Sequence, residues 1–174
     1  MKKLILMCGI PASGKSTVAT ILSAYIDNAP IVSMDDIREM LFGTRKCQKQ
    51  GDLVYNLAVN KVSRLFRDND IVIFDATNRS AKARKQVIQD IQIDNDFDVY
   101  CIFVNTPLDI ALDRNSNRDE SIQVSPAVIY RMYNTLQPPT NEEYFYKKIF
   151  EITPETLDIY KDLVYNIVTK QKEI

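Results

Sequence analysis

Short apolar runs alternate with helix-spaced apolar stripes along most of the 174 residues. Leu4 to Cys8 is an apolar run ending at glycine, and Val18, Ile21, Leu22 and Tyr25 follow at the spacing of a helix face, so the pattern predicts a strand, a turn and a helix. Ile31-Val32 makes a second brief strand before a helical stretch from Met34 to Phe42, and Leu53, Leu57, Val62, Leu65 and Phe66 mark a longer amphipathic helix. Ile71 to Phe74 predicts a third strand, Val87, Ile88 and Ile91 stripe a helix, and Val99 to Val104 is wholly apolar at strand length.

Thr106-Pro107, Ser125-Pro126 and Thr153-Pro154 each pair an N-cap residue type with proline ahead of an apolar stripe, which predicts three more helix starts. A last strand fits between Phe145 and Ile152, and Leu157, Tyr160, Val164, Ile167 and Val168 stripe a final helix. Strands alternating with helices and no hairpin signal imply right-handed βαβ units. The expected fold is α/β, a mainly parallel sheet with helices on both faces, in a single domain over residues 1–174.

Composition narrows the chemistry. Lys plus Arg total 22 against 23 Asp plus Glu, so the chain lacks the basic excess of a protein that coats long nucleic acid; such a substrate would be gripped locally. There is no histidine, which removes histidine triads, imidazole bases and histidine zinc sites together. Cys8, Cys47 and Cys101 are odd in number and widely spaced, against a disulfide framework or a thiolate metal site. The apolar run after Met1-Lys2-Lys3 stops at Gly9 without a cleavage signature, and no apolar stretch has membrane-spanning length, so the cytoplasm is the expected compartment, with no membrane partner.

The strongest motif is Gly9-Ile10-Pro11-Ala12-Ser13-Gly14-Lys15-Ser16, a complete GxxxxGK[ST] directly after the first strand and opening the first helix. Glycines let the backbone turn tightly and aim N–H groups at phosphate oxygens, and the helix N-terminus adds positive partial charge. In such a loop Lys15 contacts the β- and γ-phosphates of ATP and the Ser16 hydroxyl ligates magnesium; Gly9, Ala12, Ser13, Gly14 and Thr17 complete the expected nucleotide contacts. The motif alone does not separate a kinase from an ATPase or a switch GTPase.

In open α/β sheets ligands sit beyond the carboxyl ends of the strands. After the second strand comes Ser33-Met34-Asp35-Asp36-Ile37-Arg38, and after the third Asp75-Ala76-Thr77-Asn78. Asp35 is placed to accept a hydroxyl proton, with Arg38 one turn on as an anion clamp; capping of the helix start is the plainer role for the acidic pair. Asp75 reads either as a carboxylate serving the metal or as an acceptor-site residue paired with Arg38. Arg114 and Arg118, four apart, share a helix face in a polar segment suited to a lid that stabilises charge on a transferring phosphoryl group, with a solvated turn as the alternative.

Together these blocks resemble the polynucleotide 5′-hydroxyl kinases, especially the kinase domain of the phage end-healing enzyme. The similarity covers most of the first 140 residues, through the phosphate loop, Met34 to Arg38, Asp75 to Asn78, and Arg114 to Arg118 leading into Val124-Ser125-Pro126 and Tyr130-Arg131-Met132-Tyr133. The resemblance implies an adenylate-kinase-like P-loop fold with a helical lid at about residues 114–125. It makes Asp35 the general base on an acceptor 5′-OH, places Arg38 on the acceptor phosphate, gives Asp75, Thr77 and Asn78 to the acceptor pocket, and makes Arg118 the lid arginine on the donor γ-phosphate. Met34 departs from the phage pattern, which has a basic residue there, and nothing matches the DxDxT motif of an accompanying phosphatase. The expected activity is ATP- and magnesium-dependent phosphorylation of a 5′-OH end of RNA or DNA in end repair, with a nucleic-acid ligase acting downstream. A kinase of a small hydroxylated molecule and a non-transferring nucleotide switch are the alternatives. The Tyr144-Phe145-Tyr146 cluster is expected in the core.

Overall fold

The computed structural model describes residues 1–47, 49–94 and 96–169. Five parallel strands form one sheet in the order β2-β3-β1-β4-β5: β1 (Lys2–Cys8), β2 (Ile31–Ser33), β3 (Ile71–Asp75), β4 (Phe97–Val104) and β5 (Tyr146–Ile152). Among the described residues seven α-helices connect and cover them: α1 (Lys15–Tyr25), α2 (Met34–Phe42), α3 (Gly51–Leu65), α4 (Ala81–Asp90), α5 (Leu108–Ser116), α6 (Pro126–Asn134) and α7 (Leu157–Thr169). A 3₁₀ turn at Asn141–Glu143, which the apolar pattern did not announce, precedes β5.

Alternation of side chains along β1 divides the core in two. Ile5 and Met7 face a layer built from Val18, Ala19 and Leu22 of α1 and Val164 and Val168 of α7. Leu4 and Leu6 face the opposite layer, where α3 contributes Val54, Ala58, Val59 and Val62 and α4 contributes Val87. With both faces covered, β1 needs no polar position, and Leu4 to Cys8 are fully buried. The side chain of Leu157, one position of the expected α7 stripe, lies outside what the structure describes.

Two of the three proline signatures behave differently from expectation. Pro126 does open α6. Pro107 is itself the N-cap of α5, because the Thr106 hydroxyl is drawn away to donate to the Ser13 carbonyl at 2.7 Å. α7 begins at Leu157 rather than Pro154, since a turn closed by the Thr153 N–H donating to the Thr156 hydroxyl at 2.9 Å intervenes. The lid is also not a helix of its own: α5 ends at Ser116, and residues 117–125 form turns between α5 and α6. Tyr144 is 91% exposed, against the expectation of core, while Phe145 and Tyr146 are half-buried and pack edge to face. No helix among the described residues is long and apolar enough to cross a membrane.

Candidate active site

The sheet order reverses direction at β1, and the crevice beyond the strand ends at that reversal is where α/β folds place ligands. The glycine loop lies there, from Gly9 to the start of α1. Gly9 has φ +149, and a Cβ on it would stand 2.7 Å from the Val104 carbonyl oxygen, so a side chain is excluded on both counts. Gly14, the N-cap of α1, has φ +101, and Ala12 also takes the left-handed region at φ 61. The Thr106 hydroxyl and the Arg114 guanidinium, the latter at 3.0 Å, both donate to the Ser13 carbonyl and fasten the loop to the start and end of α5.

Lys15 is buried and its ammonium donates to the Ile10 carbonyl at 2.7 Å, arching back over its own loop. Burial lowers its pKa, and the nearby carboxylates Asp75 and Asp35 partly oppose that, while Arg118 adds to it. These four groups therefore share one field, although they come from α1, the end of β3, α2 and the turn after α5.

Register explains how the carboxylates arrive. Ser33 pairs with Asp75 across β2 and β3, so α2 starts beside the end of β3. The Ser33 hydroxyl accepts the Asp36 N–H, capping α2. The two acids then divide: Asp35 accepts a hydrogen bond from Arg38 at 2.6 Å, whereas Asp36 pairs with Arg45 at 2.7 Å. Asp75 accepts the Ser16 hydroxyl at 2.7 Å, and burial raises its pKa, opposed by Lys15 and by that hydrogen bond. Of the two sequence readings of Asp75, the geometry sets it beside Ser16, while Arg38 is engaged by Asp35.

Arg114 closes α5, and Arg118 lies past its end, its backbone N–H donating to the Asn115 carbonyl; the two are not on one continuous helix face, yet both line the same cavity. That cavity, about 260 Å³, adjoins Ala12 to Gly14 and Thr17 of the loop and is completed by Thr106 and Thr153-Pro154. The last three escaped the sequence reading as site residues because they were assigned to helix caps. Their position just past the ends of β4 and β5 was the signal that could have found them. A second cavity, about 420 Å³, opens on the other side of Asp75 and is lined by Met34, Tyr55, Ala76, Thr77 and Asn78 among others. Thr77 lines it, but the Asn78 side chain is turned inward, its amide donating to the Met7 carbonyl at 2.6 Å, so Asn78 braces the loop against β1.

Comparison with known proteins agrees with this fold. A protein of Autographa californica nuclear polyhedrosis virus assigned as a bifunctional polynucleotide kinase/RNA ligase is 23% identical over 158 residues, 83% of this chain; the chain spans 22% of that relative's length. Among solved structures, Chaetomium thermophilum Kti12 in complex with ADP-AlF3 superposes with TM-score 0.76 at 17% identity, covering 96% of this chain and 97% of that one. A fungal RNA kinase gives 0.72 at 16% identity, with 99% and 91% covered. A sugar kinase from Janibacter sp. HTCC2649 gives 0.70 at 13% identity, with 97% and 96% covered. These likenesses establish the P-loop kinase fold, and the AAA domain family (AAA_33) is matched across residues 4–139. A glycine loop on a central parallel strand, an acid–arginine pair at the start of α2 and a family match over most of its length place this chain in the AAA domain family, with a P-loop kinase fold.

Proposed function

We propose that the chain is an ATP-dependent polynucleotide 5′-hydroxyl kinase that transfers a γ-phosphate to a 5′-OH end of RNA or DNA, in one catalytic domain spanning residues 1–174 and without phosphatase activity, upstream of a nucleic-acid ligase. The observation that carries it is the Asp35–Arg38 pair, 2.6 Å apart on the start of α2 and in the field of Lys15. An exposed carboxylate paired with a half-buried cation suits an acceptor that offers a hydroxyl and a phosphodiester within one nucleotide of each other. The viral relative, assigned as a bifunctional polynucleotide kinase/RNA ligase, supports the same substrate class.

The donor triphosphate fits the first cavity, with its phosphates on the Gly9 to Thr17 loop and its nucleoside toward Thr153-Pro154. Magnesium fits the Ser16 hydroxyl and the Asp75 carboxylate, two hard oxygen donors on adjoining elements; when bound it neutralises charge on the phosphates. Lys15 and Arg118, from opposite sides, stabilise negative charge on the phosphoryl oxygens. Asp35 orients the 5′-OH and takes its proton, and the loose transition state asks little of a base. The Ser13 hydroxyl, buried and without a partner among the described residues, is a further group available to this site.

The test is transfer of labelled γ-phosphate to a 5′-OH oligonucleotide alongside its 5′-phosphorylated twin. Label confined to the 5′-OH strand supports the reading. Asp35→Ala is expected to abolish transfer while ATP binding persists, and normal turnover in that variant would remove Asp35 from the mechanism. The near-neutral charge favours a second reading, a small hydroxylated acceptor such as a nucleoside or sugar; equal kcat/KM for nucleosides and oligonucleotides would select it.

A further inference from the structure

The second cavity has a charge pattern that the phosphoryl-transfer chemistry does not use. Its floor is apolar, from Met34, Phe74 and Val87, and its rim carries Arg79 and Lys82 from the entrance to α4. Among the described residues no carboxylate lines it. Several cations elsewhere around the site are matched to acids: Arg38 to Asp35, Arg45 to Asp36 and Glu39, Arg84 to Glu143. Arg79 is half-buried, and its guanidinium donates instead to the Thr135 hydroxyl at 2.8 Å, with no ion-pair partner among the described residues. Lys82 is exposed and has no hydrogen-bond or ion-pair partner among the described residues. Two unneutralised cations over an apolar trough are complementary to an anion carried on a flat, weakly polar body.

We infer that this trough is a subsite for the acceptor strand beyond its first nucleotide, with the second base over the Met34, Phe74 and Val87 floor and the second phosphodiester held by Arg79 and Lys82. The inference rests on the polynucleotide kinase reading and extends it. The cavity begins at Met34, next to Asp35, and at Ala76, next to Asp75, so a strand whose 5′-OH lies at Asp35 and whose first phosphate lies at Arg38 has this trough as a neighbouring opening. Met34 keeps the floor beside Asp35 apolar, and the positive charge is supplied from Arg79 and Lys82 at the start of α4. The expected consequence is specificity for a strand over a single nucleotide, because only a longer acceptor offers a second phosphate.

Steady-state kinetics with ATP and magnesium on two acceptors, a nucleoside 3′-monophosphate and a 5′-OH hexanucleotide, test this in the whole chain. The wild type is expected to show the lower KM for the hexanucleotide. Arg79→Ala with Lys82→Ala is expected to raise the hexanucleotide KM about tenfold or more, to leave kcat and the nucleoside 3′-monophosphate KM unchanged, and to flatten the salt dependence of hexanucleotide binding. Lys82→Glu, at a side chain that braces nothing, is expected to do the same in part if the double variant melts early. Unchanged hexanucleotide KM, or an equal rise for both acceptors, would overturn the subsite while leaving the kinase reading intact. A wild type that phosphorylates neither acceptor would overturn the parent reading and the subsite with it.

Discussion

Asp75 shows at the scale of one residue how a site is kept at a cost to stability. Its carboxyl is buried at the end of β3, and burial raises its pKa. An acid with a folded pKa above its unfolded value binds its proton more tightly when folded, so the ionised form costs stability at neutral pH and the cost is relieved as pH falls. Asp75→Asn keeps an acceptor for the Ser16 hydroxyl and removes the charge. Thermal denaturation without nucleotide or magnesium at pH 7 is expected to show a higher Tm for this variant, and transfer assays a loss of activity. A lower Tm would mean that the charge supports the fold through Lys15.

At the scale of an element, α2 matters more than its length suggests. It carries Asp35 and Arg38, and its start is fixed by the Ser33 hydroxyl accepting the Asp36 N–H at 3.3 Å. Ser33→Ala is expected to cost about 1 kcal/mol in chemical denaturation. It should also lower kcat more than it raises the KM for ATP, because the fraying end holds Asp35, the proposed base, while the glycine loop belongs to α1. The α2 boundaries were legible from the chain, Met34 to Phe42, since a serine cap, two acids in the first turn and glycine after the end all agree. The start of α7 was not legible: Thr153-Pro154 has the residue types of a helix start, yet Thr153 and Thr156 close a turn first, and that choice depends on where β5 delivers the chain.

Across the whole molecule, Arg84 joins parts far apart in sequence. Fully buried, it donates to the carbonyls of Asn78 at 2.9 Å and Gln137 at 2.8 Å and to both carboxylate oxygens of Glu143, which also accepts the Tyr146 hydroxyl. The loop after β3, the end of the α6 connection and the approach to β5 are thereby tied together. Burial alone would raise the Glu143 pKa, but the bonds from Arg84 and from the Thr140 N–H hold it below its ordinary value. A depressed carboxylate contributes stability that is complete above its unfolded pKa, about 4.3, and is lost as pH falls through the folded value. Glu143→Gln is expected to lower stability by about 3 kcal/mol at pH 7, since it strands a buried guanidinium. Denaturation midpoints should fall less steeply below pH 4 in that variant than in the wild type; parallel slopes would assign acid lability to another group. At the same scale, Lys46 donates to the Glu120 carbonyl, linking the segment after α2 to the turns between α5 and α6.

Local chemistry along the chain was enough to determine the phosphate loop, the parallel α/β class and the acids and arginines just past the strand ends, because each depends on residues near one another in sequence: glycines for backbone shape, periodicity for buried faces, capping for helix starts. The partnerships were decided by tertiary structure. Which acid Arg38 takes, that Asp75 meets Ser16, that Asn78 turns into the core and that Thr106 leaves a cap to hold the glycine loop all follow from strand register and from which elements the sheet order brings side by side. Apart from the Arg38–Asp35 pair, one helical turn apart, these contacts join residues separated by tens of positions, and their energies are set by burial and competing partners that no local pattern carries.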